Sequence, residues 1–135
     1  MKKLLRYSLT LVFALVASVG FAATYTYSFT EQVFRKSGET VDLGGIEWTA
    51  TSDAGYFGFD QNDTKKGQQF GSKKKPATTL TLSTAAFKDK ITAITVETAG
   101  ASGINATLDV TVGGKAFGKQ YTLTATKTEA EFKGE

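Results

Sequence analysis

Apolar and polar residues alternate with a period of two over most of the chain after residue 22. In Ala23–Thr30, Tyr25, Tyr27 and Phe29 share one face, and threonine and serine residues occupy the other. Successive side chains of a β-strand point to opposite faces, so this pattern predicts a strand with one buried and one solvated face. No segment shows the period of an amphipathic helix, and the chain is therefore predicted to be all-β.

Turn-forming residues separate the alternating segments, because glycine, asparagine and aspartate favour tight turns. A hairpin is predicted around Gly100–Gly103, a single helical turn at Ala85–Phe87, and burial of Leu108 and Val110. Strands of this number and spacing indicate one domain built as a two-layer antiparallel β-sandwich. The predicted strands after the first are Thr40–Leu43, Ile46–Ser52, Tyr56–Phe59, Gln68–Gly71, Thr78–Thr84, Ile91–Ala99, Ile104–Gly113, Gln120–Thr126 and Ala130–Lys133.

The N-terminal segment differs in composition from the rest of the chain. Three basic residues precede an apolar run at Leu9–Val19, and Gly20 and Ala22 supply small side chains after it. This pattern predicts a signal peptide at residues 1–22, cleaved after Ala22, and an exported domain at residues 23–135. A membrane anchor is the alternative, but the run is shorter than the roughly 20 apolar residues that span a bilayer. We therefore expect a periplasmic or extracellular protein with no membrane insertion after signal removal.

Signal removal changes the charge balance. The full chain has 16 lysine and arginine residues and 13 aspartate and glutamate residues. The predicted signal peptide contains Lys2, Lys3 and Arg6 and no acidic residue, which leaves 13 residues of each sign in the exported domain. Binding to nucleic acid depends on a surplus of positive charge, so no nucleic-acid partner is expected.

Several chemistries are excluded by composition. The chain has no cysteine and no histidine, which rules out disulfides, thiol chemistry, Ser-His-Asp triads and zinc bound by these residues. Asp60, Asn62 and Asp63 could bind calcium, but their spacing does not match an EF-hand loop, and a turn is the alternative interpretation. No metal and no cofactor are predicted.

Paired carboxylates are the remaining catalytic option, since a glycoside hydrolase needs two of them at a defined separation in a cleft. The glutamates of this chain lie in strands or turns with charged or polar neighbours, and no pair stands out. Glu97 is the most noticeable, because it lies in an otherwise apolar strand. The protein is therefore predicted not to be an enzyme.

Three segments carry a family resemblance: Gly67–Ser72 (GQQFGS), Pro76–Thr84 (PATTLTLST) and Gly100–Gly114 (GASGINATLDVTVGG). They resemble a domain common in secreted proteins of gut-type anaerobic bacteria, which is similar to jelly-roll sandwiches of the carbohydrate-binding kind. The resemblance implies a jelly-roll arrangement of the strands and a carbohydrate-binding-like role. Relatives continue by one strand beyond position 135, so it also implies a C-terminal truncation and self-association through an open sheet edge.

Candidate ligand-binding residues are concentrated in the stretch from residue 48 to residue 70. Sugar rings stack on aromatic rings through their apolar faces, while neighbouring polar groups bind the hydroxyls. Aromatic residues of a sandwich also pack inward, so core packing is the alternative interpretation of the same residues. The candidates are Trp48, Tyr56, Phe59, Asn62, Lys66, Gln68 and Gln69.

A lysine cluster lies in the same region, and no acidic residue occurs between Thr64 and Lys88. It comprises Lys65, Lys66, Lys73, Lys74 and Lys75. Such a cluster could bind an anionic polymer, or it could be a solvated loop or a charged strand edge that prevents aggregation. The sequence thus favours a non-catalytic exported module that binds glycan or another surface polymer. A structural or adhesive module that binds protein partners, detached from a longer parent, is the alternative, followed by a small glycoside hydrolase.

Overall fold

The structure is a computed structural model that describes residues 10–16, 22–88 and 90–134, with side chains from residue 24 onward. Within these ranges it contains thirteen β-strands in five antiparallel sheets and no helix. The predicted all-β class is therefore confirmed. The two-layer sandwich and the jelly-roll arrangement stay predictions.

The strand bounds follow the predicted alternation closely in the first two thirds of the chain. Ile46–Ser52 matches its prediction at both ends, and most neighbouring strands differ by one or two residues. The strands are β1 (Thr10–Val16), β2 (Ala22–Ser28), β3 (Glu39–Leu43), β4 (Ile46–Ser52), β5 (Phe57–Asp60), β6 (Gly67–Phe70), β7 (Leu80–Ser83), β8 (Lys90–Thr98), β9 (Thr107–Leu108), β10 (Thr111–Val112), β11 (Lys115–Ala116), β12 (Tyr121–Thr122) and β13 (Thr128–Lys133).

The largest sheet has four strands in the order β13-β8-β1-β2. Strand β8 is nine residues long and contributes Ile94 and Val96 to the core, while β13 contributes Ala130 and Phe132. Strand β1 overlaps the predicted signal peptide, whose residues 1–9 and 17–21 lie outside the described part of the chain. The predicted cleavage after Ala22 stays a prediction.

A second sheet has three strands in the order β3-β4-β7. Gly44 and Gly45 both have positive φ angles, of 67° and 96°, at the turn between β3 and β4, as a type I′ hairpin turn requires. The two sheets meet where the rings of Tyr25 and Trp48 stack, with centroids 6.5 Å apart. Burial raises the pKa of Tyr25, so its hydroxyl stays protonated and donates to the backbone oxygen of Leu43.

The hairpin predicted around Gly100–Gly103 is wrong. Strand β8 pairs with β13 and β1, and the chain from residue 106 to 112 pairs instead with residues 115 to 123. This long hairpin turns at Gly113 and Gly114, and its pairing is interrupted. The Phe117 N–H donates to the backbone oxygen of Val110, but the next pair in register is Tyr121 with Leu108. Residues 118–120 lie opposite the single residue 109, and these two extra residues break the predicted strand Ile104–Gly113 into β9 and β10.

Two smaller expectations also differ from the structure. Residues 85–87 form no helical turn. Leu108 and Val110 are half-buried and pack against the core from its margin, whereas Leu123 and Phe132 are buried within it. Both residues belong to the interrupted hairpin, whose strands β9 and β10 are only two residues long and bury their side chains less fully than the nine-residue strand β8.

We expect Phe132→Ala to lower the free energy of unfolding by about 3–5 kcal/mol, because the side chain is 1% exposed and its loss leaves a cavity. Denaturant titration measures the change. Glu131→Ala is the matched control on the same strand, since Glu131 is exposed and forms only an exposed ion pair with Lys133 at 3.5 Å. Equal effects of the two substitutions would mean that β13 does not pack against the core.

Candidate functional site

An exposed aromatic ring and a run of lysines lie together at one end of the β5–β6 hairpin. Tyr56 comes directly before β5, and Ser72–Lys75 follows β6. Antiparallel pairing brings these ends of the hairpin side by side, and the backbone N–H of Gly71 donates to the backbone oxygen of Tyr56 at 2.8 Å. The pairing of two distant segments thus places Tyr56 next to the lysine turn, defined here as Ser72–Lys75.

Tyr56 is 41% exposed, and it is the exposed large hydrophobic residue of the described chain. Its ring lies across the buried backbone of Gly58, where an added Cβ atom would collide with the ring and the hydroxyl. Glycine at this position therefore lets the hydroxyl end of the ring lie close against the hairpin. The hairpin supports one part of the ring, and the rest stays open to solvent.

The lysine turn is held by its first residue. The Ser72 N–H donates to the backbone oxygen of Lys75 at 2.9 Å, and the Ser72 hydroxyl accepts from the Lys75 N–H at 3.1 Å. Lys73, Lys74 and Lys75 are all exposed. The carbon chain of Lys75 passes over Gly55, since a Cβ atom added at Gly55 would lie 3.5 Å from Cδ of Lys75. The turn thus places Lys75 against the residue that precedes Tyr56, with Lys73 and Lys74 exposed in the same turn.

Asp53 joins the loop that carries Tyr56 to the segment that follows the lysine turn. Its Oδ1 accepts from the N–H groups of Thr78 at 2.8 Å and Thr79 at 3.1 Å, and its Oδ2 accepts from the Thr78 hydroxyl. The hydroxyl of Thr78, followed by the two N–H groups, lowers the pKa of the Asp53 carboxyl. The ionised carboxylate therefore holds the two loops together.

Trp48 does not form part of this site. It is 5% exposed, packs edge-on against Phe87 with ring centroids 6.3 Å apart, and donates its Nε1–H to the Tyr25 hydroxyl at 3.2 Å. Trp48 is therefore a core residue, which is the alternative interpretation that the sequence left open for the aromatic candidates. Phe59 is half-buried and packs against the same core.

Gln68 is 0% exposed, and its amide replaces backbone pairing inside the core. Its Oε1 accepts from the N–H groups of Val33 at 2.9 Å and Phe34 at 3.1 Å. Its Nε2 donates to the backbone oxygens of Phe34 at 3.0 Å and Gly58 at 3.1 Å. A side chain with both ends of its amide engaged in the core cannot bind a sugar hydroxyl without breaking these bonds. Gln68 is therefore a structural residue.

Gln69 lies opposite Gly58 in the hairpin, is 4% exposed, and donates from Nε2 to the backbone oxygen of Gly71 at 2.9 Å. Asn62 is exposed, but its Oδ1 accepts from the N–H and the hydroxyl of Thr64 at 3.0 and 2.8 Å. These bonds shape the β5–β6 turn, as the alternative turn interpretation expects. Of the residues predicted from the sequence, Tyr56 alone lies in the candidate site.

The predicted lysine cluster divides into two groups. Lys65 and Lys66 lie in the β5–β6 turn, and the Lys65 Nζ donates to the backbone oxygen of Gly100 at 2.9 Å. The lysine turn lies at the opposite end of β6, whose four residues span about 13 Å at the usual rise per residue. Lys66 therefore does not join the charges beside Tyr56.

Asp60 and Asn62 form a turn of their own, in which Asp60 Oδ1 accepts from the Asn62 N–H at 2.9 Å. Among the described residues there is no group of three or more acidic, histidine or cysteine side chains that could hold a metal ion. The described part of the chain likewise contains no helix long and apolar enough to cross a membrane.

An open depression of about 660 Å³, not predicted from the sequence, lies on the β3–β4–β7 sheet. The hydroxyls of Thr40 and Thr49 are 2.7 Å apart there, and the Thr84 hydroxyl donates to the backbone oxygen of Glu47 at 2.7 Å. Strand-borne threonines on the solvent face are so common that the sequence offers no signal for such a surface.

Comparison with known proteins finds no similar family, no similar curated protein and no similar solved structure.

The Asp53 carboxylate generates a prediction about acid stability. Its lowered pKa means that its contribution is complete above the ordinary value of 3.8 and is lost as the pH falls through the lower value of the folded state. In urea titrations between pH 2 and pH 7, roughly the range over which a carboxyl titrates, wild type should be more stable than Asp53→Asn near neutrality. The difference should shrink in acid.

Asp63→Asn is the control, because Asp63 is an exposed carboxylate in the β5–β6 turn. The effect of Asp53→Asn should be modest, since exposed charges are screened by water. A stability difference that stays constant down to the acid limit would mean that the Asp53 carboxylate does not hold the two loops together.

Proposed function

We propose that this protein is a non-catalytic, exported binding module that holds an acidic glycan or a similar anionic surface polymer through Tyr56 and the lysine turn. The observation that carries the proposal is the exposed ring of Tyr56, supported by Gly58, beside the exposed side chains of Lys73, Lys74 and Lys75. The proposal includes a two-layer β-sandwich of jelly-roll type, and export through the N-terminal signal peptide.

The ring supplies the apolar part of recognition. A sugar ring presents C–H groups on one face, and these pack well against the face of an aromatic ring. Tyr56 already lies on Gly58, so little side-chain freedom remains to be lost when a sugar packs against it. The phenol hydroxyl adds a donor and an acceptor for sugar hydroxyls.

The lysines supply the charge preference. The lysine turn carries three positive charges and no acidic residue lies between Thr64 and Lys88, so this segment is positive although the exported domain is balanced. A polymer with regularly spaced carboxylates or sulfates gains several such contacts at once. Exposed contacts of this kind weaken with salt, because the screening length is about 10 Å at 0.1 M.

The hydrogen bonds of Asp53, the carboxylate near the site, favour binding without hydrolysis. Asp53 uses both of its oxygens on Thr78 and Thr79, so it is poorly placed to protonate a glycosidic oxygen or to attack a sugar carbon. A glycosidase also needs a second carboxyl group facing the first across the bond to be cleaved. The arrangement therefore supports a binding module over a hydrolase.

The test is the affinity of the full-length chain for polygalacturonate, an acidic glycan, compared with amylose, a neutral one. We expect binding to polygalacturonate that weakens with salt. Tyr56→Ala should weaken it by about tenfold, or about 1.4 kcal/mol. Tyr56→Phe keeps the ring and should retain most of the affinity. Replacing Lys73, Lys74 and Lys75 together by alanine should weaken binding and flatten its salt dependence.

A matched triple variant controls for total charge: Lys36, Lys115 and Lys119 are also exposed and lie elsewhere in the chain. Their replacement by alanine should leave the affinity nearly unchanged. Equal affinity for the neutral and acidic glycans, or wild-type affinity in Tyr56→Ala, would contradict the proposed site. A protein that binds neither glycan would favour the alternative of a structural or adhesive module.

A further inference from the structure

Strand β1 fills a gap in the middle of the four-stranded sheet. Its seven residues pair antiparallel with β2 on one side and with β8 on the other. Leu11 stands opposite Tyr27 and Val96, and Phe13 stands opposite Tyr25 and Ile94. β1 therefore satisfies the facing backbone edges of two strands that have no pairing with each other.

The whole of β1 lies within the predicted signal peptide, residues 1–22. Removing that peptide would leave β2 and β8 facing each other across the width of one strand, or about 10 Å from backbone to backbone. Each edge would present unpaired N–H and C=O groups, which are costly when they are not hydrogen-bonded. The exported domain would thus contain a slot, defined here as the space between β2 and β8.

Direct closure of the slot is opposed by the way its two walls are anchored. Tyr25 of β2 stacks on Trp48, accepts from its Nε1–H and donates to the backbone oxygen of Leu43, so β2 is tied to the second sheet. Ile94 and Val96 anchor β8 in the core. For the edges to pair, one wall would have to move by about a strand spacing of 4.8 Å and break these contacts.

The walls also define the chemistry of the occupant. Tyr25 and Tyr27 on one side, and Ile94 and Val96 on the other, pack in or against the core. A strand between them places every second residue in an apolar row. The intervening residues lie beside exposed Thr24 and Thr26 of β2, and on β8 beside Thr95 and Glu97, whose charge is already paired with Lys127 at 3.3 Å. The present occupant, TLVFALV, carries no charge.

We propose that the slot is an acceptor site for an extended, uncharged and largely apolar segment of about seven residues from another polypeptide, which pairs antiparallel with both β2 and β8. The proposal rests on the export processing proposed above and is independent of glycan binding by Tyr56. It gives the exported domain an interaction surface of a second kind.

The full-length chain carrying Val12→Pro and Phe13→Pro provides the test. Successive N–H groups of a strand point to opposite sides, so this pair of prolines removes a donor toward each wall and displaces β1. The peptide KKTLVFALVKK is then added, with KKTLPPALVKK as the matched control. Amide hydrogen exchange in Thr24–Ser28 and Lys90–Thr98 is followed by mass spectrometry.

We expect exchange in both segments to slow by about tenfold as the first peptide binds, with saturation, and to be unaffected by the control peptide. The unsubstituted chain should ignore both peptides, because β1 occupies the slot. Three results would overturn the proposal. Slow exchange in the proline variant without peptide would mean that the walls have closed, and no response to either peptide would mean that the slot accepts no strand. Protection that grows with protein concentration as the mass doubles would identify a second copy as the occupant. Loss of glycan binding alone leaves these readouts unchanged.

Discussion

Hydrogen bonding of an irregular backbone segment inside the core is the constraint on which the candidate site depends. Residues 32–35 belong to no strand, yet Phe34 is buried, so its N–H and C=O groups need partners that no neighbouring strand provides. Gln68 supplies them from β6, and Gln32 adds further bonds to the backbone oxygens of Phe34 and Phe57, each at 3.1 Å. A buried amide left unpaired costs about 1–3 kcal/mol, so these bonds fix the β5–β6 hairpin in one position against the core.

The position of that hairpin decides what its free end can do. Phe70 packs in the core between Phe34 and Phe57, so the opposite face of the hairpin carries Gly58 and the ring that lies on it. Asp53 then fixes the loop before β5 to the segment after β6. Tyr56 and the lysine turn are thus held by hydrogen bonds at their base, while their side chains remain open to solvent. A rigid base with exposed groups is suited to binding an extended polymer, because little order remains to be imposed on binding.

The alternation of apolar and polar residues predicted strand bounds well wherever one face of a strand is buried and the other is exposed to solvent. Ile46–Ser52 is such a strand, and the alternating pattern predicted both of its ends correctly. Alternation gave no warning that residues 118–120 lie opposite the single residue 109, and these two extra residues split the strand predicted at Ile104–Gly113. Alternation also does not distinguish a glutamine that binds a ligand from one that hydrogen-bonds buried backbone, because the local sequence pattern is the same. The role of Gln68 depends on the approach of Val33 and Phe34, which are more than thirty positions away in the sequence. Closeness in sequence predicted a single lysine cluster. Strand β6 lies between Lys66 and Lys73, so the two groups of lysines are at opposite ends of this strand.

The central claim is that Tyr56 and the lysine turn form one binding surface for an acidic polymer. Its most direct test is the amide spectrum of the ¹⁵N-labelled full-length chain titrated with a short uronic-acid oligomer. The account predicts shifts confined to Ala54–Gly58 and Gly71–Pro76, the two loops that meet at this end of the hairpin. Shifts centred on the open depression around Thr40, Glu47 and Thr84, or no shifts at saturating oligomer, would contradict it.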